Sequence, residues 1–351
     1  MKDVAWISLT PGMVLGADII SQDKVIYPAG TELNQLIIDK LKRYSVMCAT
    51  VMEDIDFAST HYERIRFNED FKLFEQNYNA ALLRYKLMMG AFLETGTPVK
   101  DADLLRLYNE VYVNIPSGAV LLDFLYNMMP NEDELTFSHC LNSALLAGAI
   151  ADWLNMNDVD KRTLILCGFY YDIGKMKLPY DLLWKSGKLT PEEFKIIQTH
   201  PVVGYSLVRG LDLDPHIKNA VIMHHERLDG SGYPYHMQGQ KIDVFARYMA
   251  IVDAYIAMAS PRSYRNAFTP LQILGHFEEN MYRFDVELLM PIMQRIADAQ
   301  IGSRVQTNDE RIWEVLIIHP TKYSRPLLKS EDNNELVDLL RTPGLEIVKM
   351  V

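Results

Sequence analysis

The residues of this chain best suited to chemistry are imidazoles and carboxylates. His224 and His225 end an apolar helical pattern, and Glu226-Arg227-Leu228-Asp229-Gly230-Ser231-Gly232-Tyr233-Pro234 follows them. In mid-helix, adjacent residues point about 100° apart. At a helix end the second residue leaves helical geometry, and both rings can converge. Imidazole is the commonest metal ligand in proteins. The Gly-Ser-Gly segment lets backbone approach a ligand where a Cβ would block it.

Other residues need the same explanation. Asp253 shares a helical face with Ala246, Met249, Ala250 and Ala257, so it is expected to be buried. Asp172 follows Leu164 to Tyr171, apolar on every side, as expected of a central helix. A buried, unpaired carboxylate costs several kcal/mol or takes up a proton. His139 is expected to begin an apolar helix running to Leu154, and His200 to close a helix capped by Thr190. Any one of these is more often a satisfied core group than a ligand. For six together, one shared cation replaces six separate partners. Oxygen and imidazole donors without thiolate suit iron, manganese, zinc or nickel.

The elements that must carry them are mostly helices. Thr190-Pro191-Glu192-Glu193 reads as an N-cap, a first-turn proline and a capping-box glutamate; Asp214-Pro215 opens the helix leading to His224. Pro201 disfavours helix at His200, so a new helix is expected just after it. The sequence divides into a small α/β module (1–58), a long helix (59–98), a helical domain (99–301) and a short C-terminal β appendage (302–351). The long helix carries Phe71, Phe74, Tyr78, Leu82, Tyr85 and Phe92 at helical spacing. Its length suits a connecting or homodimer-forming helix, and a helix packed on its own domain is the equal alternative. Val315–Ile318 and Leu345–Val348 read as strands, with Pro320, Pro326 and Pro343 as punctuation.

The 35 basic and 46 acidic residues give a net charge of -11, which argues against a partner such as polymeric nucleic acid or an anionic membrane. Apolar runs of about eight residues are too short to span a bilayer, which takes about twenty. Cys48, Cys140 and Cys167 are odd in number and widely spaced. With no secretory pattern at the start, the expectation is a protein of the reduced cytoplasm.

Asp172-Ile173-Gly174-Lys175, Lys188-Leu189-Thr190, His200-Pro201, His224-His225-Glu226, Asp229 to Pro234, Val252-Asp253 and Arg262-Ser263-Tyr264-Arg265 together resemble the HD-GYP family of bacterial cyclic-di-GMP phosphodiesterases. The resemblance covers roughly residues 135–300. It implies a mainly α HD-superfamily fold around a divalent metal site of one or two ions, iron or manganese. It implies His139, Asp172 and Asp253 as ligands of a first metal, and Asp172, His200, His224 and His225 as ligands of a second. Lys175 and Arg265 resemble phosphate-contacting residues, and Gly232, Tyr233 and Pro234 the loop beside the guanine pocket. Asp172 and Lys175 are the expected catalytic pair. Cyclic-di-GMP is the implied substrate, and diguanylate-cyclase (GGDEF) domains are an implied partner.

The chain departs from the family at Tyr171, where the family has the first histidine of its His-Asp pair, itself a metal ligand. Ile256 replaces a usual aspartate and Ser263 a usual proline. Leu135 holds the place of an additional glutamate ligand, with Glu134 one residue off register. Two readings follow: a phosphodiesterase with a weakened first metal site, or a non-catalytic module that binds cyclic-di-GMP or a signalling partner.

Overall fold

The computed structural model describes the chain except residues 6–7, 22–23, 44–45, 47, 53–63, 129–134, 184, 186, 188, 261–266 and 331–332. It divides into two compact units, Met1–Asn68 and Glu69–Val351.

In the first unit, β1 (Lys2–Ala5) pairs antiparallel with β4 (Cys48–Val51), and β2 (Ile19–Ser21) pairs with β3 (Lys24–Tyr27). The helix α1 (Gln35–Arg43) lies between β3 and β4 in sequence. Its Ile38 and Leu41 join Leu15, Leu33, Ala49 and Val51 in a small apolar core. The polar break expected at Glu53–Asp56 lies outside the described residues.

The second unit begins with the long helix α2 (Glu69–Thr95), and Phe71, Phe74, Tyr78, Leu82, Tyr85 and Phe92 are all buried. The apolar stripe therefore packs within its own unit. Phe71 meets Phe124 edge-on at 5.3 Å, Tyr78 donates to Asn142 Oδ1 at 2.6 Å, and Tyr85 donates to the Phe169 carbonyl. After α3 (Asp101–Tyr112) and α4 (Gly118–Asn127) come α5 (Leu135–Trp153) and α6 (Asp158–Tyr170), the centre of the fold. From Ser138 to Ala151 every residue of α5 is buried, as its lack of a polar stripe requires. At Gly168 a Cβ would stand 2.5 Å from Ala144 Cα. Only glycine lets α6 come this close to α5, and that approach sets the end of α6 beside His139.

A 3₁₀ turn (Ile173–Lys177) and the short α7 (Tyr180–Leu183) lead to α8 (Pro191–Ile197), α9 (His200–Val208) and α10 (Pro215–Met223). Thr190 caps α8 with both bonds of a capping box, and Asp214 caps α10. Then follow α11 (Val244–Ala259), α12 (Pro270–Glu279), a 3₁₀ turn (Met281–Arg283) and α13 (Val286–Asp298).

The C-terminal residues form one antiparallel sheet of five strands: β5 (Arg304–Thr307), β6 (Ile312–His319), β7 (Lys322–Ser330), β8 (Leu336–Asp338) and β9 (Ile347–Met350), in the order β8-β7-β6-β5-β9. Pro326 lies inside β7 and not at a break. The β6–β7 register shifts on either side of Ile317, whose partner is Leu327, and an irregular stretch is where a strand tolerates proline. The sheet is fastened to the helices by Glu278, which accepts from Ser324 N at 3.1 Å and pairs with Lys322 at 2.9 Å. Among the described residues, no helix is long and apolar enough to cross a membrane.

Candidate metal centre and signature loop

Three helix ends, the second turn of a fourth helix and the interior of a fifth converge. His139 lies in the second turn of α5, not at its start, because the helix begins at Leu135. His200 is the first residue of α9, not the last of α8. Pro201 is tolerated there because first-turn amides have no helical partner in any case. His224 is the C-cap of α10, and His225 follows it. Asp172 ends the α6 segment, and Asp253 projects from the interior of α11. Asp172, His200 and His224 are wholly buried; His139 and Asp253 are nearly so.

Two clusters result: His200, His224 and His225; and His139, Asp172 and Asp253. Within each, the ligand atoms lie within 4.8 Å of one another. Asp172 joins them. Its Oδ1 is 3.2 Å from His200 Nε2, and its Oδ2 is 3.9 Å from His139 Nε2. Lys175 Nζ donates to Oδ2 at 2.6 Å. Asp253 Oδ1 is 2.9 Å from His139 Nε2, and Oδ2 is 3.8 Å from His225 Nδ1.

The proton positions decide whether a cation fits. His200 Nδ1 lies 2.7 Å from the Ile197 carbonyl, and His224 Nδ1 lies 3.1 Å from the carbonyls of Ala220 and Val221. A carbonyl only accepts, so both Nδ1 atoms carry hydrogen. Burial, the largest effect, holds both rings neutral, with pKa values lowered to about 3. Both Nε2 atoms are therefore bare lone pairs, and they face each other at 3.1 Å. Asp172 Oδ1, directed at the same point, has no hydrogen-bond donor. Acceptors without a proton repel one another in a dry site and become favourable around a cation. These residues fit a divalent ion.

The lowered imidazole pKa values set a pH dependence for the metal-free chain. Between about pH 6.5 and about 3, histidines of the unfolded chain bind protons that His200 and His224 refuse. Stability then rises with pH across that window and is lost as pH falls through it. Thermal unfolding of chelator-treated protein is expected to show this; a melting temperature flat from pH 7 to 4 would contradict it.

Tyr171 is wholly buried. Its hydroxyl donates to Asp253 Oδ1 at 3.3 Å and lies 3.0 Å from Ser143 Oγ. Burial, then the charges of Asp253 and Asp172, raise its pKa well above the ordinary phenol value. It is a neutral donor to a carboxylate, not an anionic ligand.

The loop after the histidines is built onto them. Tyr233 stacks on His225, with centroids 4.6 Å apart. Gly232 is obligatory: a Cβ there would stand 2.5 Å from Arg227 N and Glu226 Cα. Glu226 is buried and accepts from Tyr235 N at 2.7 Å and Met237 N at 3.0 Å. Its carboxylate thus ties down the chain on the far side of Pro234. Arg227 donates to the carbonyls of His224 and Glu226 and lies over the Phe284 ring.

All six acids and imidazoles singled out in the sequence meet here, with Lys175 and the loop of Gly232, Tyr233 and Pro234 beside them. Arg265, Ser263 and Glu134 lie outside the described residues. Ile256 is buried in the apolar core, and Leu135 is half-buried. Sequence reasoning assigned no role to Ser143 or Glu226. Their partners lie 28 and 9–11 residues away, and no local pattern announces them.

Residues 123–288 match the HD domain family. The chain is 29% identical over 202 residues to a cyclic di-GMP phosphodiesterase of Pseudomonas aeruginosa, covering 57% of this chain and 49% of the relative. It is 36% identical over 163 residues to the cyclic di-GMP phosphodiesterase response regulator RpfG of Xanthomonas campestris, covering 46% and 41%. It is 30% identical over 199 residues to a 3'3'-cGAMP-specific phosphodiesterase of Vibrio cholerae, covering 56% and 44%. The chain thus spans about half the length, or less, of these curated relatives. Among solved structures, an HDG"Y"P protein of Bdellovibrio bacteriovorus has a similar fold, with a TM-score of 0.51 at 15% identity over 84% of this chain and 99% of that one.

Proposed function

Because this chain belongs to the HD-GYP family, we propose that it is a metal-dependent phosphodiesterase that opens cyclic-di-GMP to the linear dinucleotide. The observation that carries the proposal is the convergence of bare lone pairs from His200 and His224 on the same point as Asp172 Oδ1. A divalent ion held there, iron or manganese by its nitrogen and oxygen donors, would lower the pKa of a water and offset phosphate charge. His200, His224, His225 and Asp172 would form the fuller donor set, for the second metal; His139 and Asp253, with the other oxygen of Asp172, would form the first. Lys175, with its side chain 21% exposed, is placed to exchange its bond to Asp172 for one to a substrate phosphate. Tyr233 and Pro234, on a loop stacked against His225, would border the base. Arg265 is assigned the other phosphate on the resemblance alone.

A second reading is a non-catalytic module that binds cyclic-di-GMP or a GGDEF partner, alone or as a homodimer. Tyr171 favours it, because a donor stands where the family has a ligand.

Purified protein loaded with manganese or iron and mixed with cyclic-di-GMP is expected to yield the linear dinucleotide. Absence of product with every metal tried would remove the enzymatic reading, and binding without turnover would leave the second.

A further inference from the structure

His225 is the exception among the three clustered imidazoles. His200 Nδ1 and His224 Nδ1 are each fixed by backbone carbonyls, and both residues are wholly buried. The His225 side chain is 14% exposed, and its Nδ1 stands 3.8 Å from Asp253 Oδ2, beyond hydrogen-bond reach. A ligating imidazole ordinarily has its other ring nitrogen held by a carboxylate, a carbonyl or a water. Here the ring is held by its face. Tyr233 lies against it, with centroids 4.6 Å apart and planes 23° from parallel.

Tyr233 is half-buried, and its neighbours Ser231, Tyr235, His236 and Gln238 are exposed. Little apolar packing holds such a segment, and backbone bonds take its place. On the near side, Tyr233 N donates to the His225 carbonyl at 3.2 Å. On the far side, the two oxygens of Glu226 take separate amides, Tyr235 N at 2.7 Å and Met237 N at 3.0 Å. Glu226 is 2% exposed, and a charged acceptor makes such bonds roughly twice as strong as neutral ones. Both oxygens are needed. A glutamine would offer one acceptor and turn its own amide donor toward a backbone N–H.

We propose that Glu226 is a positioning residue for His225: its carboxylate closes the loop so that the Tyr233 ring stays flat against the imidazole, and order in the loop and affinity for the ion rise and fall together. This rests on the metal reading of the site. Two linked equilibria must favour each other equally, so an ion held by His225 would order the loop as much as the ordered loop favours the ion. An ion-free chain would then offer a substrate a looser loop.

The test is manganese and ferrous-iron affinity of the full chain after chelator treatment, compared with Glu226→Gln, Tyr233→Phe, Tyr233→Ala and the double variant Glu226→Gln/Tyr233→Ala. Melting temperature without metal, and amide exchange across residues 233–239 with and without metal, are measured in parallel. Glu226→Gln and Tyr233→Ala are each expected to weaken metal binding by roughly 10- to 100-fold. Tyr233→Phe keeps the ring and is expected to match the unmodified chain. Because carboxylate and ring act in series, the double variant is expected to lose no more than the worse single one. Metal is expected to slow exchange across 233–239 in the unmodified chain and in Tyr233→Phe, and to leave it unchanged in Tyr233→Ala. Additive losses in the double variant would mean that Glu226 acts apart from the ring and would overturn the coupling. Glu226→Gln that melts lower without metal yet binds metal as its parent does would make Glu226 a support of the fold alone and overturn it too. Should Glu226→Gln fail to fold, full metal affinity in Tyr233→Ala overturns the inference by itself. An unmodified chain that takes up neither metal overturns the metal reading beneath it as well.

Discussion

Replacing Asp172 by asparagine is expected to cost about a thousandfold or more in cyclic-di-GMP hydrolysis and to empty both halves of the metal centre. One oxygen of Asp172 faces His200 and the other faces His139, so the same charge serves both clusters. An amide keeps the size and removes the charge. About 4 kcal/mol of lost barrier lowering corresponds to about a thousandfold in rate, and one anionic ligand shared by two ion positions supplies at least that much. Stability separates this from simple misfolding. Without metal, the asparagine variant weakens the Lys175 contact at Oδ2 but can turn an amide donor toward the bare His200 Nε2, so it is expected to melt close to its parent. Metal-induced stabilisation should disappear in the variant. A variant that keeps its metal and its rate would contradict the bridging role, and one that melts far below the parent without metal would point to a structural role.

Restoring an imidazole with Tyr171→His has the opposite expected sign. Tyr171 spends its hydroxyl on Ser143 and Asp253, which leaves three donors at the first position. An imidazole there adds a neutral ligand next to His139 and Asp253 and frees an Asp253 oxygen. Metal content is expected to rise by up to one ion per chain, and turnover by up to about a thousandfold if the missing ligand accounts for about 4 kcal/mol. Full metal loading without a gain in rate would favour a module repurposed for binding. Ser143→Ala distinguishes geometry from ligation: it removes a bond to the phenol and no ligand, and it is expected to leave metal content unchanged.

Much of this site is legible in the sequence because its cost is local. A carboxylate on an apolar helical face, as at Asp253, or at the end of an all-apolar helix, as at Asp172, needs a cation, and that need is visible without a fold. Paired histidines before a Gly-Ser-Gly segment carry a similar signal. What the sequence conceals depends on tertiary distance. Ser143 stands among alanines and leucines in α5, and only the close approach at Gly168 makes it a partner of Tyr171. Glu226 looks like a surface acid until the chain turns back and offers it two backbone amides. The β sheet was half visible. The apolar parts of β6 and β9 stand out, whereas β7, with Lys322, Ser324, Arg325 and Pro326, is a strand through its pairing and not through its propensity. The first unit was clearer, because a turn, a short strand and a helical spacing follow one another within it.

His200, His224, His225 and Asp172 are expected to grip one cation. Elemental analysis of the protein purified without added metal, set beside the same analysis of His200→Ala, tests it most directly. The predicted result is at least about one equivalent of iron or manganese per chain in the parent and a large loss in the variant, with both proteins folded. A folded parent that takes up no transition metal even when offered it, or a variant that binds as much as its parent, would show that these four residues hold no cation.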